Sequence, residues 1–176
     1  MKGTGVVAHT GEGRADASIL GEGLMHVSIT SRRGRQGYPS SPMGAFTLVR
    51  QALYDAAWYG QASQARTADP SLPLIETNDA LEAIVAYRET GRPWVIDAPD
   101  ELYAMRVLQI AKEFELPVII RGVGFEYQLA SALGQARPTV ITTLRFPNVP
   151  DVTSAARARS TSMADLMHWD LAPENA

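Results

Sequence analysis

The fold follows from residues 94–121, which read WVIDAPDELYAMRVLQIAKEFELPVIIR. Two short apolar runs, Trp94-Val-Ile-Asp97 and Val118-Ile-Ile-Arg121, flank a segment whose apolar residues recur at helical spacing. We therefore expect a strand, a helix over residues 99–114 and a second strand. Strands this apolar, separated by amphipathic helices, are typical of a parallel sheet that helices cover.

The same alternation continues toward the C-terminus. A helix is predicted over residues 125–133, a third strand over residues 139–144 and a short helix near residues 162–168. An open doubly wound sheet and an arc of a (β/α)₈ barrel both fit this α/β pattern. A complete barrel usually takes about 250 residues. The chain has 176, so it could hold only part of a barrel.

The first 41 residues have a different character. Residues 5–10 and 24–30 are β-prone and are punctuated by glycines, which predicts turns or a small hairpin layer. We expect a single domain over residues 1–176, with a β- and loop-rich lead-in at 1–41 and helix and βα units at 42–176. The chain starts with what resembles the middle of a β segment, so we expect it to be a piece of a longer protein.

Two helices are predicted between the lead-in and the first βα unit. Ser41 is a good N-cap and Pro42 suits the first helical position, so a long helix is expected over residues 43–61. A second helix is expected over residues 79–90, capped by Asn78 or Thr77, and Gly91 should end it.

Composition excludes several classes of function. The formal net charge is −3 and no basic block stands out, so we predict no nucleic-acid binding. Arg32, Arg33 and Arg35 form a cluster typical of a solvated loop. The absence of cysteine excludes disulfides and thiolate zinc sites. No apolar run approaches the ~20 residues of a membrane helix, and the N-terminus lacks the pattern of a signal peptide.

Polar residues end the predicted strands, at the edge of a parallel sheet where α/β sites form. Asp97 ends the first strand, and a carboxylate at a site and a helix-capping role both remain open for it. Asp100 and Glu101 are better explained as the cap and first-turn charges of the next helix. Arg121 ends the second strand and is a candidate site residue.

The turn after the second strand is a candidate anion site. Gly122 and Gly124 precede a predicted helix, and backbone N–H groups in such a turn can cradle an anion beside Arg121. Glu126 follows in the same turn and completes the candidate ligand-binding set.

The histidines do not suggest a metal site. His9, His26 and His168 are far apart and lack the spacing of metal ligands, so each is predicted to be structural or exposed. We predict no metal ligands and no cofactor for this chain.

Three segments resemble the amidohydrolase superfamily, in its imidazolonepropionase-related branch. The first runs from Tyr38-Pro-Ser-Ser-Pro-Met-Gly-Ala-Phe to Tyr54-Asp-Ala-Ala-Trp-Tyr59. The others are Phe146-Pro-Asn-Val-Pro-Asp151 and His168-Trp-Asp-Leu-Ala-Pro-Glu-Asn175. The resemblance implies a (β/α)₈ barrel that binds zinc or another divalent metal and activates water against non-peptide C–N bonds.

The resemblance also locates the positions of the family's metal ligands. It places Asp97 where the fifth barrel strand carries a histidine, and Arg121 or Gly122 where the sixth does. An arginine has no lone pair to offer a metal near neutral pH. The first-strand and eighth-strand ligands of the family would lie outside residues 1–176. The chain thus resembles a module that has lost its histidines and that, in some relatives, stands in tandem with an intact one.

The sequence is compatible with three functions. The leading hypothesis is a catalytically incomplete amidohydrolase module with a structural role, which self-associates or pairs with an intact module. A second is an active metal-dependent hydrolase, completed by Asp97 and by carboxylates from missing segments or partner chains. A third is an anion-binding module that uses Arg121 and the turn containing Gly122 and Gly124.

Overall fold

The computed structural model describes residues 3–8, 19–31, 37–122, 124–143 and 146–175. The predicted arginine cluster at residues 32, 33 and 35 lies outside this part of the chain. The strands of the described sheet are β1 (Gly3–Ala8), β2 (Ile19–Ser28), β3 (Trp94–Asp97), β4 (Val118–Arg121) and β5 (Thr139–Ile141). The α-helices are α1 (Pro42–Ala68), α2 (Asp79–Glu89), α3 (Glu101–Glu113), α4 (Ala130–Ala136), α5 (Ala155–Ser160) and α6 (Met163–Leu171).

The strands lie in the sheet in the same order as in the chain. β1 pairs with β2 in the antiparallel direction, and β2 to β5 are parallel. The predicted hairpin in the lead-in is confirmed. The lead-in is not a separate layer, however, because β2 pairs directly with β3. A doubly wound sheet reverses its strand order partway across, and the described strands show no such reversal.

Alternation along β2 determines which face of the sheet meets the helices. Met25, Val27 and Ile29 are buried with 3–4% of their surface exposed, whereas His26 and Ser28 between them face the other side. The parallel register places Met25 beside Trp94 and Val27 beside Ile96. One face of the sheet is therefore apolar, whereas the opposite face carries polar residues beside the buried Val95.

The helices that cover the apolar face begin at side-chain caps. Gly44 N–H donates to Ser41 Oγ at 3.1 Å, and Leu81 N–H donates to Asn78 Oδ1 at 3.1 Å. Tyr103 N–H donates to Asp100 Oδ1 at 2.8 Å, which confirms the capping role predicted for that aspartate. Each cap satisfies a backbone donor that has no partner inside its helix.

Helix α1 is about two turns longer than predicted. Its last turns are rich in alanine and glutamine, which favour helix and continue it to Ala68. Asp69 then takes an extended conformation, with φ −132° and ψ 97°, because the following Pro70 disfavours the helical region at the preceding residue.

The core lies between the sheet and helices α1 to α3. The side chains of Leu53, Val107, Ile110 and Ile120 have at most 1% of their surface exposed. Full burial of a side chain of this kind contributes about 1.5–3 kcal/mol to stability. This packing fixes β3 and β4 at the centre of the described sheet.

Tyr87 of α2 is anchored beneath the sheet. Met25 N–H donates to its hydroxyl at 3.0 Å, and the hydroxyl donates to the Pro93 carbonyl oxygen at 2.8 Å. Its ring packs edge-on against Trp94, with centroids 5.3 Å apart. The tyrosine therefore ties α2 to β2 and to the chain entering β3.

The C-terminal region differs most from the prediction. The third strand was expected to run to residue 144, but β5 ends at Ile141. The helix predicted over 125–133 is a 3₁₀ turn, Glu126–Leu129, followed by α4. Helix α5 was not predicted. None of the helices in the described ranges is long and apolar enough to cross a membrane.

Candidate functional site

Three polar residues lie side by side at the carboxyl edge of the sheet. The register pairs Ser28 at the end of β2 with Asp97 at the end of β3, and Asp97 with Arg121 at the end of β4. They share the face that points away from the helices, because each follows a buried apolar neighbour by one residue. Sequence analysis predicted that Asp97 and Arg121 would end adjacent strands, and the structure brings them together.

Asp97 and Arg121 form an ion pair. Arg121 Nε lies 2.8 Å from Asp97 Oδ1. The aspartate side chain is 20% exposed, whereas the arginine side chain is 50% exposed. Half-exposed pairs are screened by water and usually contribute less than about 1 kcal/mol to stability. The pair therefore defines the electrostatics of this edge more than it stabilises the fold.

Two cavities flank the ion pair. One, of about 250 Å³, is lined by Gly3, Thr4, Gly5, His26, Asp97 and Arg121. The other, of about 220 Å³, is lined by Ser28, Ile29, Thr30, Asp97, Ala98, Pro99, Arg121 and Gly122. Asp97 and Arg121 belong to both walls, so a molecule in either cavity would contact the pair.

The turn after β4 holds one of its own side chains. Both carboxylate oxygens of Glu126 accept from Gly124 N–H, at 2.9 Å and 3.2 Å. A Cβ added at Gly122 would come within 1.5 Å of Glu126 Oε1, so this position has no room for a side chain while the carboxylate stays there. The predicted anion cradle already contains the chain's own carboxylate, which an external anion would have to displace.

A histidine from α6 packs next to this turn. The ring of His168 stacks on Phe125 with centroids 4.2 Å apart and an interplanar angle of 15°. Its Nδ1 is buried and has no hydrogen-bond partner within the described part of the chain. It therefore packs as an aromatic ring, which agrees with the predicted structural role. His9 lies outside the described residues.

His26 was predicted to be structural or exposed, and the structure makes it a further candidate site residue. It lines the larger of the two edge cavities, next to the β1 glycines: it pairs with Gly3 in the sheet and lies beside Gly5. The signal that could have found it is the alternation from residue 25 to residue 29. This alternation buries Met25, Val27 and Ile29 and leaves His26 on the polar face of the same strand.

These residues do not fit a divalent metal. A metal bound to Asp97 Oδ1 would sit within about 2.2 Å of that oxygen, but the cation next to it is the Arg121 guanidinium. Arginine offers no lone pair, and its positive charge repels a second cation. Within the described ranges, no three histidine, aspartate or glutamate side chains form a group that could hold a metal.

A larger cavity lies at the opposite end of the strands. It measures about 690 Å³ and is lined by residues that include Pro93, Pro117 and Pro138, which precede β3, β4 and β5. Ligand sites of α/β sheets form at the carboxyl ends of the strands. We therefore assign chemistry to the smaller cavities at the polar edge, in spite of their size.

Comparison with known proteins yields one structural match. No protein-family model matches the sequence, and no curated protein matches it. The crystal structure of an amidohydrolase from Thermotoga maritima MSB8 is similar, with a TM-score of 0.68 over 95% of this chain. The chain shares its fold with part of an amidohydrolase. The sequence identity is 15%, so the likeness is one of fold.

The match also shows how much of that protein this chain represents. The chain covers 44% of the amidohydrolase, which is less than half of its length. The shared part includes the five-stranded, mostly parallel sheet and its helices.

Proposed function

We propose that this chain is a module of an amidohydrolase-type (β/α) barrel that no longer holds a catalytic metal and acts beside other barrel strands. An intact module or a second copy of the chain would supply those strands. Within the superfamily, we assign it to the imidazolonepropionase-related branch on the segments at residues 38–59, 146–151 and 168–175.

The arrangement of the sheet supports a barrel arc. The parallel strands are sequential, and the helices that build the core pack on one face. In a (β/α)₈ barrel the strands have this order, with all helices outside. The polar face, with His26, Asp97 and Arg121, would then face the barrel interior at the end where such enzymes carry their sites.

The observation that carries the loss of the metal is the ion pair at this edge. The family resemblance implies two metal-binding histidines, one where this chain has Asp97 and one where it has Arg121 or Gly122. In their place, the guanidinium lies 2.8 Å from the carboxylate and neutralises it. The Arg121 guanidinium thus supplies a positive charge at the position where the family resemblance implies a bound metal cation.

The need for additional strands follows from the edge of the sheet. β5 is an edge strand of the described sheet, and only its β4 side is paired. Ile141 on this strand is 45% exposed. Unpaired strand edges and exposed apolar side chains favour association with further strands.

Metal content tests the first part of the proposal. We expect elemental mass spectrometry of the chain, purified without chelators and dialysed against zinc, to give background metal. Near-stoichiometric zinc would overturn the proposal and favour the active-hydrolase alternative. Asp97→Asn would then be the variant that tests whether this aspartate takes part in binding it.

Association tests the second part. We expect light scattering after size-exclusion chromatography to give a mass above the 19.1 kDa of one chain, rising with protein concentration. A stable monomer at high concentration would contradict self-association and leave an intact module as the required partner. Co-expression of the chain with the polypeptides that the flanking DNA encodes would then be the direct test.

A further inference from the structure

We propose that the 250 Å³ cavity over the Asp97–Arg121 pair binds a small molecule through a carboxylate or phosphate group. This site is distinct from the turn that contains Gly122 and Gly124, because the carboxylate of Glu126 occupies that turn. It does not depend on the association of the module with other strands.

The guanidinium of Arg121 has N–H donors other than the one that contacts Asp97. Asp97 is contacted through Nε, and half of the arginine side chain remains exposed. A guanidinium has five N–H donors in a planar fork, and its two terminal nitrogens match the spacing of two oxygens in a carboxylate or phosphate. The contact with Asp97 holds this fork at the cavity wall, so a ligand would meet a group that is already oriented.

Strand β1 forms the part of the cavity wall next to His26. Gly3 and Gly5 of β1 line the cavity, together with Thr4. A Cβ at Gly5 would lie 3.4 Å from His26 Nε2, which is van der Waals contact and places the imidazole directly beside this glycine. The two glycines thus contribute backbone and no side chains to the cavity wall.

The size and polarity of the cavity restrict the ligand. At about 30 Å³ per water, the cavity holds on the order of eight waters, which suits a compact acid rather than a drug-sized molecule. Arg121 provides the anchoring charge, while the His26 ring can bond to the remaining polar groups of the ligand. The net charge of the whole chain is −3, so a general attraction for anions would not explain binding at this place.

The test is calorimetric titration with inorganic phosphate and with succinate as separate probes, at constant ionic strength. We expect at least one of them to bind. Arg121→Gln should weaken that binding about tenfold or more, because it removes charge-assisted hydrogen bonds. Binding of phosphate alone would identify a phosphate ligand, and binding of succinate alone a carboxylate.

A matched control separates this site from general charge effects. Arg157 also forms an ion pair with an aspartate, Asp151, but on an exposed surface outside the cavity. Arg157→Gln removes the same charge and should leave the affinity unchanged. If it weakens binding as much as Arg121→Gln does, or if neither probe binds the wild-type chain at tens of millimolar, the proposal is wrong.

A second variant predicts the opposite effect and does not depend on the stability of Arg121→Gln. Asp97→Asn keeps an oxygen that can accept from Arg121 Nε but removes the neighbouring negative charge. We expect it to bind the probe a few-fold more tightly, because a like charge no longer opposes the ligand. Weaker binding in this variant would contradict the assigned geometry.

Discussion

The two faces of the sheet differ more than any two elements of the chain. On the face covered by helices, Trp94, Ile96 and Ile120 are buried, with 1–3% of their surface exposed. One residue further along β3 and β4, Asp97 and Arg121 lie on the other face, which also holds the buried Val95, and remain partly exposed. The same short strands thus carry the stability of the fold on one side and its chemistry on the other.

The largest effect on this contrast should come from shortening a side chain on the buried face. We expect Ile120→Ala to lower the free energy of unfolding by about 2–5 kcal/mol, because it removes apolar contacts and leaves a cavity. Denaturant unfolding followed by circular dichroism would measure this change.

Ile119→Ala is the matched control, because it is the same substitution one residue away on the opposite, partly exposed face. We expect it to cost clearly less. Equal costs would mean that the two faces do not differ in packing as described.

A smaller effect is expected where the helix layer is tied to the sheet. Tyr87→Phe keeps the ring on Trp94 but removes the hydroxyl that accepts from Met25 N–H. Since that donor is buried, we expect a loss of about 1–3 kcal/mol in thermal or denaturant unfolding. Tyr103→Phe, at another buried ring of the core, controls for loss of a hydroxyl. A loss in Tyr87→Phe no larger than in this control would argue against the anchor.

The polar face should tolerate substitution with little cost in stability. We expect Arg121→Gln to change the free energy of unfolding by no more than about 1 kcal/mol, because the ion pair is half exposed. Thermal unfolding of the same samples used for ligand binding would check this. A cost comparable to that of Ile120→Ala would show that the pair supports the core.

The smallest effect is expected at the outer surface of the helices, in acid. A hydrogen bond from Arg50 holds the pKa of the Glu113 carboxyl below its usual range. The stability that this provides is present above the ordinary glutamate pKa, about 4.3, and is lost as the pH falls through the lowered pKa of the folded state.

Glu113→Gln should therefore make the unfolding midpoint slightly less sensitive to pH between about pH 5 and pH 3. Glu89→Gln is a matched control on α2, since Glu89 forms no ion pair within the described part of the structure. An identical pH profile for Glu113→Gln and wild type would contradict the role of the Arg50 contact.

The sequence predicted the centre of the molecule best. Strands β3 and β4 have the predicted bounds, because short apolar runs between capped helices leave few alternatives. The pairing of β2 with β3 was not predicted, since it depends on contacts between residues about 70 positions apart. The long helix α1 separates these strands, and periodicity describes each segment only by itself.

The candidate site was predicted in part for the same reason. Asp97 and Arg121 were identified because each ends a strand, and the strand ends of a parallel sheet meet at one edge. The pairing of the two side chains depends on the strand register, which cannot be read from the sequence. His26 was missed because its role arises only when β2 joins the sheet.

Residues 122 and 126 should vary together, because a side chain at residue 122 would occupy the space of the Glu126 carboxylate. Any side chain at residue 122 would displace the carboxylate that Gly124 N–H binds. Because the glutamate side chain is flexible and can move away, an alanine there should cost little more than the contact with Gly124 N–H, and nothing once residue 126 is itself shortened. A mutational library that changed one position at a time would assign to Gly122 a loss that belongs to the hydrogen bond of its neighbour.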